Sequence, residues 1–193
     1  MYDLFFRKFN ERVSLTSEEE KLIKQLLTPK KLRKKQYLLQ EGDTGKSICF
    51  VEKGALRSYV LDEKGNEHIT AFAFEGYTIG DLYSFMNAAP ATLNIDALED
   101  CELVLLSKSA HDELLQKLPK YETYIRLLLT DAYIMLQRRM TNMISLPIEE
   151  RYIAFSEMYP TIFQRVPQHM IASFMGLSAE TLSRVRTRIS NKK

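Results

Sequence analysis

The hydrophobic pattern of the chain changes its period once, and this change limits the fold more than any other feature. Between residues 31 and 106 the apolar residues occur in short runs rich in Val, Ile, Tyr and Phe, with Gly and Asp between them. Runs of this kind are typical of β-strands. After residue 107 the apolar residues recur at the spacing of a helix. The sequence therefore predicts an α+β protein that is β-rich in its first part and helical in its second.

The β-rich part contains six predicted strands whose ends are marked by turn residues. Their regular spacing favours an antiparallel barrel or sandwich of the jelly-roll type, with flanking helices. One flanking helix is predicted at residues 2–12, and a second begins at a capping box, residues 17–20, and ends at Pro29. The predicted strands are residues 36–39, 48–51, 56–61, 69–74, 92–98 and 103–106.

A long helix is predicted over residues 120–144, which contain neither Gly nor Pro and follow Pro119. Its apolar residues form two stripes, and the second has the alternating four- and three-residue spacing of a coiled-coil seam. We expect one stripe to pack on the β-rich domain and the other to pair with the same helix of a second chain, giving a homodimer. The alternative is a helix buried within its own domain. The stripes are Ile125, Leu128, Ala132 and Met135, and Leu129, Tyr133, Leu136, Met140 and Met143.

Serine and proline residues mark the remaining boundaries. Ser107 or Ser109 can cap a short helix over residues 110–117, and residues 145–147 are expected to form a hinge. Beyond the hinge, helices are predicted at residues 148–159, 168–175 and 179–189. The chain is thus expected to divide into a domain of residues 1–118, a connecting helix of residues 119–145 and a small all-α domain of residues 146–193.

The net charge of +2 hides an uneven distribution along the chain. Residues 161–193 hold six Lys or Arg and one Glu, whereas residues 1–160 carry a net charge of −3. Positive charge gathered at one end of a chain predicts that this end meets a polyanion.

Residues 168–189, QHMIASFMGLSAETLSRVRTRI, have the pattern of a helix-turn-helix. Such a motif needs a small residue where the helices cross, a glycine with positive φ in the turn, and apolar residues that join the two helices. Ala172 and Gly176 fit the first two requirements, and Ser178 fits the cap of the second helix. The alternative is a structural helical pair with incidental basic residues. The apolar contacts are assigned to Ile171, Leu177, Leu182 and Val185.

The segment GLSAETLSRV closely resembles the recognition segment of the Crp/Fnr family of transcriptional regulators. The resemblance implies that Glu180 accepts hydrogen bonds from cytosine, that Arg184 donates to a guanine edge or a phosphate, and that Ser178 and Thr181 contact phosphate. It also implies two partners, an inverted-repeat DNA duplex and RNA polymerase. The DNA-binding candidates are Gln168, Ser178, Ala179, Glu180, Thr181, Ser183, Arg184, Arg186 and Arg188.

The chain departs from this family pattern at two places. Ala179 stands where many members carry an arginine, so we expect a different half-site. Where the family usually has a β-hairpin wing after the recognition helix, only four residues follow here. We therefore expect no phosphate contacts from a full wing, and we expect Lys192 and Lys193 to replace part of them.

The β-rich domain resembles the family's cyclic-nucleotide-binding domain, which is carried here by Gly42-Asp43, FVEKGALR at residues 50–57 and IGDLYSF at residues 79–85. In ligand-binding relatives a G-E-L segment and a later R-[ST]-A hold the cyclic phosphate, which the arginine neutralises. The matching effector-pocket residues are Gly80, Asp81, Leu82, Ala91 and Thr92. Because Ala91 replaces the arginine, we expect weak binding of cyclic AMP and control by another small effector or by none. Alternatively, Gly80 and Asp81 only form a turn.

No nucleophile elbow, phosphate-binding loop or metal-ligand spacing is recognisable, so we expect neither enzymatic activity nor a required cofactor. Cys49 and Cys101 lie in apolar runs and are expected to be buried thiols, and an iron–sulfur cluster usually needs four cysteines. With no signal peptide or membrane span predicted, we expect a cytoplasmic protein. The favoured function is a dimeric, sequence-specific DNA-binding regulator. The alternative is a cyclic-nucleotide-binding or protein-interaction module without specific DNA binding.

Overall fold

The computed structural model describes residues 2–191 of the chain, which divides into two compact units, Met1–Leu128 and Leu129–Lys193. Both units contain part of one long helix, because the boundary falls within it.

The first unit contains two four-stranded antiparallel sheets. The strands are β1 (Leu27–Leu32), β2 (Tyr37–Leu39), β3 (Ser47–Lys53), β4 (Leu56–Leu61), β5 (Glu67–Ala73), β6 (Thr78–Ile79), β7 (Asn94–Ala97) and β8 (Cys101–Ser107). One sheet has the order β1-β8-β3-β6 and the other the order β2-β7-β4-β5. Buried side chains from both sheets, such as Val51 and Leu103 from the first and Leu56 and Ile95 from the second, form one core cluster.

Helices flank the sheets and make up the second unit. They are α1 (Asp3–Asn10), α2 (Ser17–Leu26), α3 (Leu82–Asn87), α4 (Lys108–Lys117), α5 (Pro119–Ser145), α6 (Ile148–Met158), α7 (Ile162–Arg165), α8 (Gln168–Met175) and α9 (Ala179–Ser190). The core of the second unit includes Phe155, Ile162, Ile171, Met175 and Leu182, all buried. Within residues 2–191, no helix has an apolar stretch long enough to cross a bilayer.

The predicted elements are present, and the six predicted strands begin and end within two residues of their expected positions. The capping box of α2 was predicted one residue too late, because Thr16 rather than Ser17 is the N-cap. The Thr16 hydroxyl accepts a hydrogen bond from the Glu19 N–H at 3.3 Å, and the Glu19 carboxylate accepts one from the Thr16 N–H at 2.7 Å.

Pro29 does not end α2, contrary to the prediction. The helix stops at Leu26, and Pro29 lies within β1, opposite Val104 of β8. Because β1 is an edge strand, a residue without an N–H is tolerated there. The prediction also missed β1 itself, β6, α3 and α7.

Candidate nucleic-acid interface and effector pocket

The turn between α8 and α9 has the geometry that the helix-turn-helix pattern predicts. Gly176 takes a left-handed conformation with φ of 70°, and its N–H donates to the carbonyl of Ser173 at 3.0 Å. Ser178 then caps α9 by accepting a hydrogen bond from the Thr181 N–H at 3.2 Å. The two helices pack through fully or nearly fully buried side chains, namely Ile171, Ala172, Leu182 and Val185.

One face of α9 is exposed to solvent in the chain. Glu180, Ser183, Arg184 and Thr187 are all exposed, and their spacing of three, four and seven residues places them on one side of the helix. None of them belongs to the buried core of the second unit. This face combines a carboxylate, a guanidinium and two hydroxyls, the groups that read base edges in a major groove.

The electrostatics of this face keep Glu180 ionised. The pKa of Glu180 is lowered, because hydrogen bonds from its own backbone N–H and from Ser178 favour the carboxylate form, with a smaller contribution from Arg184. Arg184 lies one turn further on, and its Nε donates to the Glu180 carbonyl at 3.4 Å. An ionised carboxylate can accept a hydrogen bond, for example from a cytosine amino group, but cannot donate one.

The structure brings only part of the predicted DNA-binding set onto this face. Ser178 and Ala179 are exposed at its N-terminal end, Thr181 is half-buried beside it, and Gln168 is exposed at the start of α8. Thr187 was missed by the sequence analysis, although it lies three residues after Arg184 and therefore on the same side of the helix.

Two of the predicted arginines are directed to neighbours inside the second unit. The Arg186 guanidinium lies 5.7 Å from the centroid of the Phe163 ring and lines a groove of about 830 Å³ beside α6. Arg188 forms an ion pair with Glu149 of α6 at 3.1 Å. Both side chains therefore have protein partners that the sequence pattern did not reveal. Lys192 and Lys193, which were expected to contact phosphate, lie outside the described residues.

In the first unit, the predicted effector-pocket residues include one buried carboxylate, that of Asp81, with Gly80, Ala91 and Thr92 beside it. Asp81 is 5% exposed; one of its oxygens caps α3 by accepting from the Ser84 N–H at 2.9 Å, and the other accepts from the Thr92 N–H at 3.0 Å. Ala91 is buried, and Gly80 packs so closely on Ile48 that a Cβ there would lie 2.7 Å from the Ile48 Cδ1 atom. Leu82 differs, because it is about half exposed. Asp81 thus joins α3 to the segment at residues 91–92.

The same unit contains a buried cation, Arg57, that no pattern in the sequence indicated. Arg57 on β4 donates two hydrogen bonds to Asp96 on β7, at 2.8 and 2.9 Å, and further bonds to Glu67 on β5. Its guanidinium also lies 4.4 Å from the centroid of the Tyr59 ring. Burial by itself would lower the pKa of Arg57, but the hydrogen bonds to Asp96 and Glu67 outweigh it and raise the pKa. Two carboxylates therefore already neutralise this cation.

The long helix α5 changes its environment along its length. Tyr121 and Tyr124 are buried, and Ile125 and Leu128 pack against the core of the first unit. From residue 129 onwards the predicted seam is exposed within the chain. Its members and their exposed fractions are Leu129 48%, Tyr133 66%, Leu136 63%, Met140 60% and Met143 49%.

The cysteines behave as predicted, since Cys49 and Cys101 are buried free thiols. Burial raises the pKa of both. Among residues 2–191, no three His, Cys, Asp or Glu side chains converge in the arrangement of a metal site.

The amino-acid sequence of the chain is similar to a known domain family and to known regulatory proteins. A family model described as the cyclic nucleotide-binding domain matches residues 29–118. Regulatory protein HlyX of Actinobacillus pleuropneumoniae is 29% identical over 167 residues, which cover 81% of this chain and 69% of HlyX. The fumarate and nitrate reduction regulatory protein of Vibrio cholerae is 26% identical, over 89% of this chain and 73% of its own length.

A solved structure shares the fold as well. FixK2 from Bradyrhizobium japonicum superposes with a TM-score of 0.72 at 18% sequence identity, over 86% of this chain and 85% of FixK2. The two sequence relatives are named as regulators, and the domain order, the recognition segment and the fold point to the same family. In sequence and in domain order the chain is similar to transcription regulators of the Crp/Fnr family, and it shares their fold.

Proposed function

We propose that the protein recognises an inverted-repeat DNA site as a homodimer and that α9 of each chain enters the major groove. The observation that carries this proposal is the exposed face of α9, on which Glu180, Ser183, Arg184 and Thr187 have no role in the core. Side chains of these types distinguish base pairs in the major groove, whereas a purely structural helix pair has no need of them.

The homodimer is supported by α5. Its seam residues are between 48% and 66% exposed in the single chain, and they recur at the spacing that lets two helices interlock. Burying this stripe against a second copy removes a contiguous apolar surface from water. To bind an inverted repeat, a twofold dimer needs its two recognition helices about 34 Å apart, in successive major grooves.

We further propose that this regulator does not respond to cyclic AMP: it is controlled either by a different small effector or by none. Ala91 supplies no cation, and the buried Arg57 is already neutralised by Asp96 and Glu67. Asp81 is buried, and each of its oxygens already accepts a backbone hydrogen bond, so a ribose hydroxyl would have to share an oxygen with one of these donors. If an effector does bind, it can shift the DNA-binding equilibrium only by its different affinity for two conformations.

The test is the selection of randomised duplex DNA by the purified full chain, with and without cyclic AMP. Affinity for the selected sequence is then measured at two salt concentrations. We expect an inverted repeat to be enriched equally in both conditions. Enrichment that requires cyclic AMP would refute the proposed loss of nucleotide control. Binding that depends on salt but not on sequence would reduce α9 to a non-specific basic surface.

The remaining outcome is no enrichment in either condition. It would leave two explanations, a regulator that needs a different effector for DNA binding, or a cyclic-nucleotide-binding or protein-interaction module without specific DNA binding. Cytoplasmic localisation and contact with RNA polymerase belong to the same proposal, since both follow from action on chromosomal promoters. Contact with RNA polymerase is tested by measuring how much bacterial RNA polymerase the selected DNA captures with and without the regulator.

A further inference from the structure

The C-terminal end of α8 is held by side chains from two other helices. A helix leaves its last carbonyl groups without intrahelical donors. At the end of α8 the N–H groups of Gly176 and Leu177 donate to the carbonyls of Ser173 and Ala172, at 3.0 and 2.9 Å. The next two carbonyls along the helix, those of Phe174 and Met175, accept hydrogen bonds from guanidinium groups.

These two guanidinium groups come from different parts of the chain. The Arg139 Nη2 atom donates to the Phe174 carbonyl at 3.1 Å, and the Arg151 Nη2 atom donates to the Met175 carbonyl at 2.5 Å. Cations at the C-terminal end of a helix also interact favourably with its dipole. Arg139 makes an additional contact, since its guanidinium lies 3.9 Å from the centroid of the Phe174 ring.

Arg139 belongs to α5 and Arg151 to α6, so the two contacts have different mechanical consequences. The break at residues 146–147 separates α5 from α6. The Arg139 contact connects α5, before the break, to α8, after it, whereas the Arg151 contact lies entirely beyond the break. Rotation at residues 146–147 therefore requires the Arg139 contact to be broken, and because Arg139 is half-buried, leaving its guanidinium without these partners has a free-energy cost.

We propose that Arg139 is a positioning residue that locks the helix-turn-helix to the dimerisation helix and so fixes the distance between the two recognition helices of a dimer. This inference rests on the proposed dimeric DNA-binding function. It implies that the segment at residues 145–147, which the sequence identified as a hinge, is fixed while the Arg139 contact is intact. The recognition face of α9 does not include Arg139, so each half-site is read in the same way with or without it.

The experiment compares three DNA duplexes: the selected inverted repeat, the same repeat with one base pair inserted between its halves, and a single half-site. The wild-type chain should prefer the uninserted repeat. In Arg139→Ala this preference should fall about tenfold, which corresponds to about 1.4 kcal/mol, because the contact that joins α8 to α5 is lost. Affinity for the single half-site should be unchanged. Arg139→Lys keeps a donor but loses the planar stack, and should restore part of the preference.

Two matched variants separate positioning from folding. Arg138→Ala removes a neighbouring exposed arginine of α5 and should leave the preference intact. Arg151→Ala removes the other guanidinium at the end of α8, and should lower the unfolding temperature without changing the preference for spacing. Arg139→Ala that keeps the full preference, or that loses half-site binding to the same extent, would overturn the inference. A wild-type chain that prefers no inverted repeat would overturn the proposed function as well.

Discussion

Replacing Leu136 by Ala should weaken the homodimer without unfolding either unit. Leu136 is 63% exposed in the single chain, so it makes little contribution to the fold and most of its surface is available to a partner. Full burial of a leucine side chain is worth about 1.5–3 kcal/mol, and truncation to Ala removes about 1–2 kcal/mol of this. Because a twofold interface contains the residue twice, the total loss is about 2–4 kcal/mol, or roughly 30- to 1,000-fold in the dissociation constant.

Sedimentation equilibrium over a range of protein concentrations measures this change directly. Ile134→Ala is the matched control, because Ile134 is also an exposed aliphatic residue of α5, at 40%, but lies two positions from Leu136 and therefore on a different side of the helix. We expect the control to dimerise like the wild type. Equal weakening by both substitutions, or a wild-type chain that is monomeric at micromolar concentration, would refute the assignment of the seam.

Three further predictions concern the recognition helix and the stability of the two units. Arg184→Ala should lower DNA affinity by about 1–3 kcal/mol and relax the preference at one base pair. Lys192→Ala should instead lower the affinity for all DNA sequences alike and reduce by about one the slope of log affinity against log salt concentration. Titrations of matched and mutated sites would contradict this if the two variants behaved identically. Gly176→Ala should reduce the free energy of unfolding by about 1–2 kcal/mol, because a residue with a Cβ is strained at a φ of 70°. The space around Gly176 is open, so no steric clash adds to this cost. An unchanged free energy of unfolding in denaturant would contradict the prediction. Burial lowers the pKa of His111, so the unfolded chain binds its proton more readily, and the free energy of unfolding should fall as the pH drops below about 6.5. His111→Gln should show a weaker pH dependence between pH 5 and 7, and an identical slope for both proteins would contradict it.

The fold was largely predictable because its elements differ in hydrophobic period. Strand β7, NIDA, alternates polar and apolar residues, whereas α5 continues for 27 residues with no Gly or Pro after its first residue. Strand β1 was missed for a physical reason, since its sequence, LTPKKL, contains a proline and two lysines. Those residues suit an edge strand, where pairing with β8 rather than local preference decides the conformation.

In the candidate site, the sequence could predict only those side-chain positions that follow from the geometry of a single helix. The exposure of Glu180 and Arg184 follows from the positions of Leu182 and Val185, which must face α8. The roles of Arg186 and Arg188 depend on Phe163 and Glu149, which are distant in sequence and reach α9 only through the tertiary fold.

In the first unit, too, the sequence identified a residue but not its partners. The sequence indicated that Asp81 stands at a family position, but the identity of the two N–H groups that it accepts from, those of Ser84 and Thr92, required the structure. The pairing of Arg57 with Asp96 and Glu67 across three strands was likewise not visible in a linear pattern.

The buried carboxylate of Asp81 also constrains how this sensor could change over evolutionary time. The backbone of Thr92 donates to it, so an arginine gained by Ala91→Arg would arise next to a negative charge that already belongs to the protein. The new guanidinium would have to share the Asp81 carboxylate with the backbone N–H groups of Ser84 and Thr92. A substitution that altered Asp81 would remove both the cap of α3 and the link to residue 92. Any change in the chemistry of this pocket is therefore coupled to the folding of α3.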